Sequence, residues 1–255
     1  MQYVNCKAHA LNILEKVKAV PNKKELWILA MGDDPASVSY MKGKIKDCEY
    51  CDIPYFHRIA KSESELFDLV SAGNGFACVG GIIVQLPLPE LVNESRVLDK
   101  ISPSKDVDGF RHDSSFKPCT PEGVVYVLKQ ELGNLTGKNA LIIGKGKLVG
   151  RPLTQMLLDE GCTLTIAHSK TKDLDALLGT HDIVVSAVGK PNLVDLKKCK
   201  AEIVVDVGVN RVNGKLCGDC YNFDPDDGSD MKVTPVPGGI GLLTRAMLMQ
   251  HVSMT

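Results

Sequence analysis

The sequence predicts an α/β protein of two domains, the second built on a parallel sheet. Three observations carry that expectation. Helical and strand-like patterns alternate along the chain, which is how α/β architectures read in sequence. The strand-like stretches are short, continuous aliphatic runs such as ELWILA at 25–30 and GIIV at 81–84, as in strands covered on both faces. Near residue 139 the pattern starts over, with a strand, a glycine-rich loop and a helix. A chain of 255 residues is long enough to bury two modest cores.

The elements follow in order. A first helix is expected over residues 8–20, ending before Pro21. Residues 25–30 form a buried strand. Asp34 followed by Pro35 marks a helix start, because aspartate caps the free N–H groups and proline has none to lose at the first helical position. A helix at 62–72 and a strand at 81–86 come next. In VGGIIVQLPLPE, beginning at Val79, a single glutamine interrupts the aliphatic run. Gln85 thus ends a buried strand where Pro87 and Pro89 forbid further ladder bonding, a place where a polar side chain needs a reason. Residues 118–121 precede a helix at 122–132, and the domain junction is placed there. The first domain is read as 1–120 plus a C-terminal helix at 241–255, the second as 121–240.

The second half reads as strand 139–143, the loop Gly144-Lys145-Gly146-Lys147-Leu148-Val149-Gly150, a helix from about 152, and strands at 164–167, 182–187 and 202–207. That order is Rossmann-like. The loop departs from G-x-G-x-x-G, since Val149 takes the third glycine's place and Gly150 follows one residue late. A strand before it and a helix after it favour phosphate binding, because backbone N–H groups and the helix dipole converge there. A site for NAD usually carries an acid about 20 residues further on, bonded to the ribose 2′-hydroxyl. Here the next strand runs into Ala167-His168-Ser169-Lys170-Thr171 with no acid. Hydroxyls and a cation suit a 2′-phosphate, and Lys145 adds a second cation, so NADP is favoured, with NAD as the alternative.

Composition narrows the partners. A net charge of −1 without a basic block argues against nucleic acid and anionic membrane. No apolar run approaches the roughly 18–20 residues of a membrane span. The opening MQYVNCKAHALN lacks a signal peptide's apolar core, so a cytoplasmic protein is expected. Nine cysteines, an odd number, indicate free thiols rather than a disulfide framework. Cys48/Cys51 and Cys217/Cys220 have CxxC spacing but lie far apart, and they are read as structural. No metal is expected: Asp106-Val107-Asp108-Gly109 lacks the rest of a calcium loop.

Two more polar features remain. Tyr40 and Lys44 are four apart on the helix begun at Asp34 and share a face, although a solvated face would give the same spacing, as it does for Lys42 and Lys46. Tyr40-x-x-x-Lys44, VQLPLP at 84–89, KDVDGF at 105–110, KPCTPEG at 117–123, the glycine loop ending VGRP, AHSKT at 167–171, SAVGKP at 186–191, VDVGVN at 205–210 and TPVPGGIGLLT at 234–244 follow in that order. Together they closely resemble the methylenetetrahydrofolate dehydrogenase/cyclohydrolase family, from about Gly32 to His251.

The resemblance implies a bifunctional enzyme. It would oxidise 5,10-methylenetetrahydrofolate with NADP and hydrolyse the methenyl product to 10-formyltetrahydrofolate. Lys44 would be the catalytic lysine, Gln85 its hydrogen-bonding partner, Tyr40 the residue packed on the pterin and Asp108 its anchor. Pro237, Gly238 and Gly239 would wall a cleft between the domains. Gly144, Lys145, Gly146, Val149, Gly150, His168, Ser169 and Thr120 would bind the cofactor. Lys145 stands where the resemblance leads to arginine, Gly146 where it leads to serine, and Leu242-Leu243 where it leads to Pro-Met. A homodimer is also implied. The chemistry suits so small a polar set. Hydride removal from an N–CH₂–N bridge needs chiefly positioning, whereas hydrolysis needs one group to carry a proton, a task a desolvated lysine can perform. The alternatives are a monofunctional or NAD-preferring dehydrogenase, and a non-catalytic folate-binding regulatory protein. A shikimate-dehydrogenase-type enzyme would share the two-domain layout without needing Gln85 and KDVDG together.

Overall fold

The computed structural model describes residues 1–32 and 34–255. Two compact units account for the chain, one of Met1–Ala10 with Thr120–Thr244, the other of Leu11–Cys119 with Arg245–Thr255. The sequence reading placed the first ten residues in the other unit. They belong with the second half because Gln2–Tyr3 forms an edge strand there, with Gln2 N–H donating to Met231 O and Val4 N–H to Val233 O, each at 2.9 Å.

The unit of Leu11–Cys119 holds a three-stranded parallel sheet in the order Tyr55–Ala60, Glu25–Met31, Val79–Val84. Its central strand is buried along Leu26–Ala30 and Val79–Val84 is buried throughout, as the aliphatic runs require. Trp27, Leu29, Leu66, Val70, Ile82 and Val84 lie in one core cluster. The helix Pro35–Tyr50 starts as expected, with Asp34 Oδ2 accepting from Ser37 N–H at 2.7 Å. Ser62 caps the next helix, Glu63–Gly75, through Glu65 N–H at 3.1 Å. Tyr55–Ala60 is a strand that the pattern did not reveal. It is an edge strand carrying His57 and Arg58, mostly exposed, so it shows no aliphatic run. At the C-terminal end, Cys48 Sγ meets Met249 Sδ at 3.7 Å and Arg245 Nε lies 2.9 Å from Asp47 Oδ2, tying Pro35–Tyr50 to the helix Ile240–Val252. Gly43 makes room for the Arg245 guanidinium, which a Cβ there would strike.

The other unit is a six-stranded parallel sheet. Its order is Gln2–Tyr3, Lys232–Val233, Ile203–Asp206, Ile183–Ser186, Asn139–Ile143, Thr163–Ala167. Numbered from Asn139, the last five strands run 2-1-3-4-5, so the winding reverses between Asn139–Ile143 and Ile183–Ser186, where doubly wound sheets place their ligands. Ile143 pairs with Ala167 and Ser186, and Ser186 with Asp206. The carboxyl ends are therefore level, and the loops beginning at Gly144, His168, Ala187 and Val207 are neighbours. An antiparallel hairpin, Asn210–Val212 with Lys215–Cys217, turns at Asn213-Gly214, both at positive φ, the pairing two-residue hairpins favour.

None of the nine cysteines is in a disulfide. Burial pushes the Cys48 thiol up to about 12 and that of Cys51 to about 11, which leaves neither a ready thiolate. Among the described residues, no helix is long and apolar enough to cross a membrane.

Candidate active site

The helix Pro35–Tyr50 carries Ser37, Tyr40 and Lys44 at spacings of three and four, on one face. Lys42 and Lys46 are exposed, whereas the Lys44 side chain is only 4% exposed. Its Nζ lies 3.7 Å from Asp108 Oδ2 and 5.4 Å from the centre of the Tyr40 ring. At 3.7 Å the buried pair is an ion pair beyond hydrogen-bond reach, with lone pairs and protons still available to another group.

The loop around Asp108 is pinned from several sides. Lys105 Nζ donates to the carbonyls of Gly73 and Asn74 at 2.9 Å and of Phe76 at 2.7 Å, at the end of Glu63–Gly75. Asp106 is buried and accepts from Arg111 N–H at 2.8 Å. Burial, with the neighbouring Asp108, raises the Asp106 carboxyl above its ordinary range. Gly109 sits at φ +70°, where a Cβ would strike the Lys117 carbonyl. His251 Nδ1 lies 2.8 Å from Val107 O, so that nitrogen carries the proton, and Cys119 N–H donates to Asp108 O at 3.2 Å.

Gln85 follows the strand Val79–Val84, and its N–H donates to Leu29 O at 2.8 Å. The expected hydrogen bond to Lys44 is not formed. Its Nε2 donates instead to Leu86 O at 2.8 Å, and its Oε1 is buried with no hydrogen-bond partner. The carbonyl of Leu86 fixes that choice, since only the amide nitrogen can face it. Ser37 Oγ donates to the same carbonyl at 3.3 Å, which links the start of the Lys44 helix to the strand end. An unpartnered buried acceptor costs about 1–3 kcal/mol, and it marks where a donor would be welcome.

In the other unit, Asn139–Ile143 runs into the glycine loop and the helix Gly150–Asp159. Gly144 is at φ +109°, and a Cβ there would strike the Ala187 carbonyl, while one on Gly150 would strike the carbonyl of Gly144. Nothing lies within 4 Å of a Cβ built on Gly146. The loop is thus closed on itself and open outward. Val149 makes no side-chain cap to the helix. Arg151 N–H donates to Gly146 O at 3.1 Å and Leu153 N–H to Val149 O at 2.9 Å. Pro152 has no N–H, so the Gly150 N–H and the helix dipole are what this end offers an anion. Lys145 and Ser169 are exposed, as is His168, whose Nδ1 accepts from Lys170 N–H at 3.1 Å, leaving Nε2 to carry the proton. These features fit a phosphorylated dinucleotide: a backbone cradle with cations and a hydroxyl at the adjacent strand end. Thr120 lies in the first turn of Cys119–Leu132, with its Oγ1 3.0 Å from Thr244 Oγ1. In the loop carrying Pro237, Gly238 is at φ +95° and Gly239 fits closely against the Pro235 carbonyl.

Sequence reasoning missed two side chains and the placement of one quoted motif. Ser37 and His251 act through bonds to backbone carbonyls, which leave no signature. The loop Ala187 to Lys190 sits at the winding reversal, and its position could be assigned only once the strand order was known.

The comparisons agree with this geometry. Residues 4–108 match the family model for the tetrahydrofolate dehydrogenase/cyclohydrolase catalytic domain, and residues 118–255 that for the tetrahydrofolate dehydrogenase/cyclohydrolase NAD(P)-binding domain. The bifunctional protein FolD of Campylobacter fetus is 40% identical, over 98% of this chain and 96% of its own length. That of Bacillus velezensis is 41% identical, over 92% and 88%. The crystal structure of the bifunctional FolD methylenetetrahydrofolate dehydrogenase/cyclohydrolase from Campylobacter jejuni superposes with a TM-score of 0.90 at 37% identity, covering 100% of this chain and 98% of that one. The Trypanosoma brucei methylenetetrahydrofolate dehydrogenase-cyclohydrolase, solved with NADP cofactor and an inhibitor, gives 0.87 at 28%, covering 98% and 95%. Matched in both halves and along nearly its whole length, the chain belongs to the tetrahydrofolate dehydrogenase/cyclohydrolase family.

Proposed function

We propose that the chain oxidises 5,10-methylenetetrahydrofolate to 5,10-methenyltetrahydrofolate with NADP and hydrolyses that product to 10-formyltetrahydrofolate. The observation that carries this reading is the buried Lys44, held between Tyr40 and Asp108, in a chain of this family. NADP, when bound, supplies the hydride acceptor. The chain's own residues do the rest. Tyr40 packs on the pterin and Asp108 accepts from its N–H groups. Lys44 carries the proton that hydrolysis must move from the attacking water to a ring nitrogen. Gln85, whose Oε1 has no partner in the free protein, turns to accept from Lys44 as substrate enters, a reorientation that apo sites commonly need.

Gly144, Gly146, Val149 and Gly150 hold the pyrophosphate with the helix start. Lys145, His168 and Ser169 take the 2′-phosphate. Thr120 supports the same site, and Pro237, Gly238 and Gly239 let ligand approach the backbone closely. By the same reading the protein is a cytoplasmic homodimer in one-carbon metabolism, supplying formyl groups to purine biosynthesis, and light scattering of the purified protein tests the dimer.

The deciding experiment follows methenyl-folate absorbance with NADP and then with NAD. Growth followed by decay to 10-formyl product, faster with NADP, is the expected result. Growth without decay would make the enzyme monofunctional. Faster growth with NAD would reverse the cofactor assignment. Folate binding without either reaction would make it a regulatory binder.

A further inference from the structure

Between the two CxxC cysteines Cys217 and Cys220 lies Asp219, which is wholly buried. Five donors converge on its carboxylate. Ser186 Oγ donates to Oδ2 at 2.8 Å, as do the backbone N–H groups of Val188 at 3.0 Å and Gly189 at 3.2 Å. Lys190 N–H donates to Oδ1 at 2.8 Å and Asn210 Nδ2 at 3.1 Å. Three of these donors are consecutive backbone N–H groups in an exposed loop, gathered from beneath by a single buried side chain.

A second buried carboxylate holds the first in place. Asp206 Oδ1 accepts from Asp219 N–H at 3.0 Å and Gly208 N–H at 2.9 Å, and its Oδ2 accepts from Cys220 N–H at 2.8 Å. Gly208 lies against the Asp219 carboxylate and Gly218 against that of Asp206, so closely that a Cβ at either would strike oxygen. Asp206 N–H donates in turn to Thr234 Oγ1 at 2.8 Å, at the base of the loop carrying Pro237. The two carboxylates therefore tie together the loops after Ser186 and Asp206, and the Asp206 main chain joins them to the loop at Thr234.

The loop that Asp219 gathers is not an ordinary surface loop. It follows Ile183–Ser186, one of the two strands flanking the winding reversal, and its Ala187 carbonyl packs against Gly144, the first glycine of the phosphate cradle. Curled N–H groups of this kind would otherwise form an anion nest. Here the protein's own carboxylate fills the nest, which leaves no vacancy there for a ligand phosphate. We propose that Asp219 is a positioning residue for the dinucleotide: without touching it, the buried carboxylate fixes the Ala187 to Lys190 wall of the cofactor site. This rests on the proposed NADP-dependent function.

The two activities supply an internal control, because hydrolysis of methenyl-folate uses no nicotinamide. Asp219→Asn keeps the shape but sets an amide NH₂ among donors. NADP affinity by calorimetry and KM for NADP should each weaken about tenfold or more, as expected where buried N–H groups lose their acceptor. The cyclohydrolase kcat/KM should stay within about twofold, since a uniform loss would signal general damage. Ser186→Ala removes one donor and should weaken NADP binding by about fivefold, with the hydrolysis again unchanged. Unaltered NADP affinity in Asp219→Asn, or equal losses in both activities, would overturn the proposal. Should Asp219→Asn not fold, Ser186→Ala decides it by the same pair of measurements. Wild-type protein that binds NADP by calorimetry yet oxidises no folate would refute the proposed function while leaving the Asp219 test intact.

Discussion

Lys44 with Asp108 and Asp219 with Asp206 are both pairs of buried charged side chains, yet they are finished differently. Around Asp219 every oxygen is occupied, and the two carboxylates together receive eight hydrogen bonds. At Lys44 the ion pair is stretched to 3.7 Å, and at the strand end the Gln85 Oε1 has no partner. A satisfied network rigidifies its surroundings. An unsatisfied one sits above its own minimum and gains when a ligand completes it. The molecule thus keeps its scaffold closed and its proposed reacting centre open, as expected where function is set against stability.

Four substitutions probe that contrast. Lys44→Met should lower the cyclohydrolase rate by about 10²–10⁴, the usual worth of general acid–base catalysis, or about 3–5 kcal/mol of barrier. The dehydrogenase should lose less. Rates measured beside folate binding would test this, and wild-type hydrolysis in the variant would remove Lys44 from the proton-carrying role. Asp206→Ala should act on stability instead. It strands the N–H groups of Gly208, Asp219 and Cys220, which costs about 3 kcal/mol or more and lowers Tm by about 6–12 °C. A melting curve that matches wild type would show that water replaces the carboxylate.

Lys145 is exposed and, among the described residues, makes no ion pair. Lys145→Ala should raise KM for NADP about tenfold to a hundredfold, as for loss of a charge-assisted contact, while NAD use holds steady. An equal loss with both cofactors would move Lys145 to the shared pyrophosphate. The smallest effect is expected at Gln85. Gln85→Met removes the orphan acceptor, so Tm should stay level or rise, while hydrolysis slows about tenfold through a misplaced Lys44. A fall in Tm would mean that Gln85 is chiefly structural.

Much of this was legible in the chain because burial leaves a pattern. Aliphatic runs gave the central strands, Asp34 with Pro35 gave a helix start, and the two prolines made Gln85 conspicuous. The rest depended on partners distant in sequence. Spacing cannot separate Lys44 from Lys42 and Lys46, since only the packing of the helix decides which lysine is covered. Asp219, between Cys217 and Cys220, carries no local sign of its role, because four of its five donors lie about 30 residues upstream. Gln2–Tyr3 is too short to carry any periodicity, and its partner is Lys232–Val233.

That last pairing bears on how the protein is made. Strands Glu25–Met31, Tyr55–Ala60 and Val79–Val84 leave the ribosome in quick succession, so the small sheet can assemble while translation continues, as units of local contact do. The large sheet cannot close its edge in this way. Gln2 and Tyr3 are synthesised long before Lys232 and Val233, the strand they pair with, and they must wait unpaired through most of elongation. Shielding that waiting segment from other chains would fall to whatever binds nascent polypeptide, and slowing elongation would lengthen its exposure.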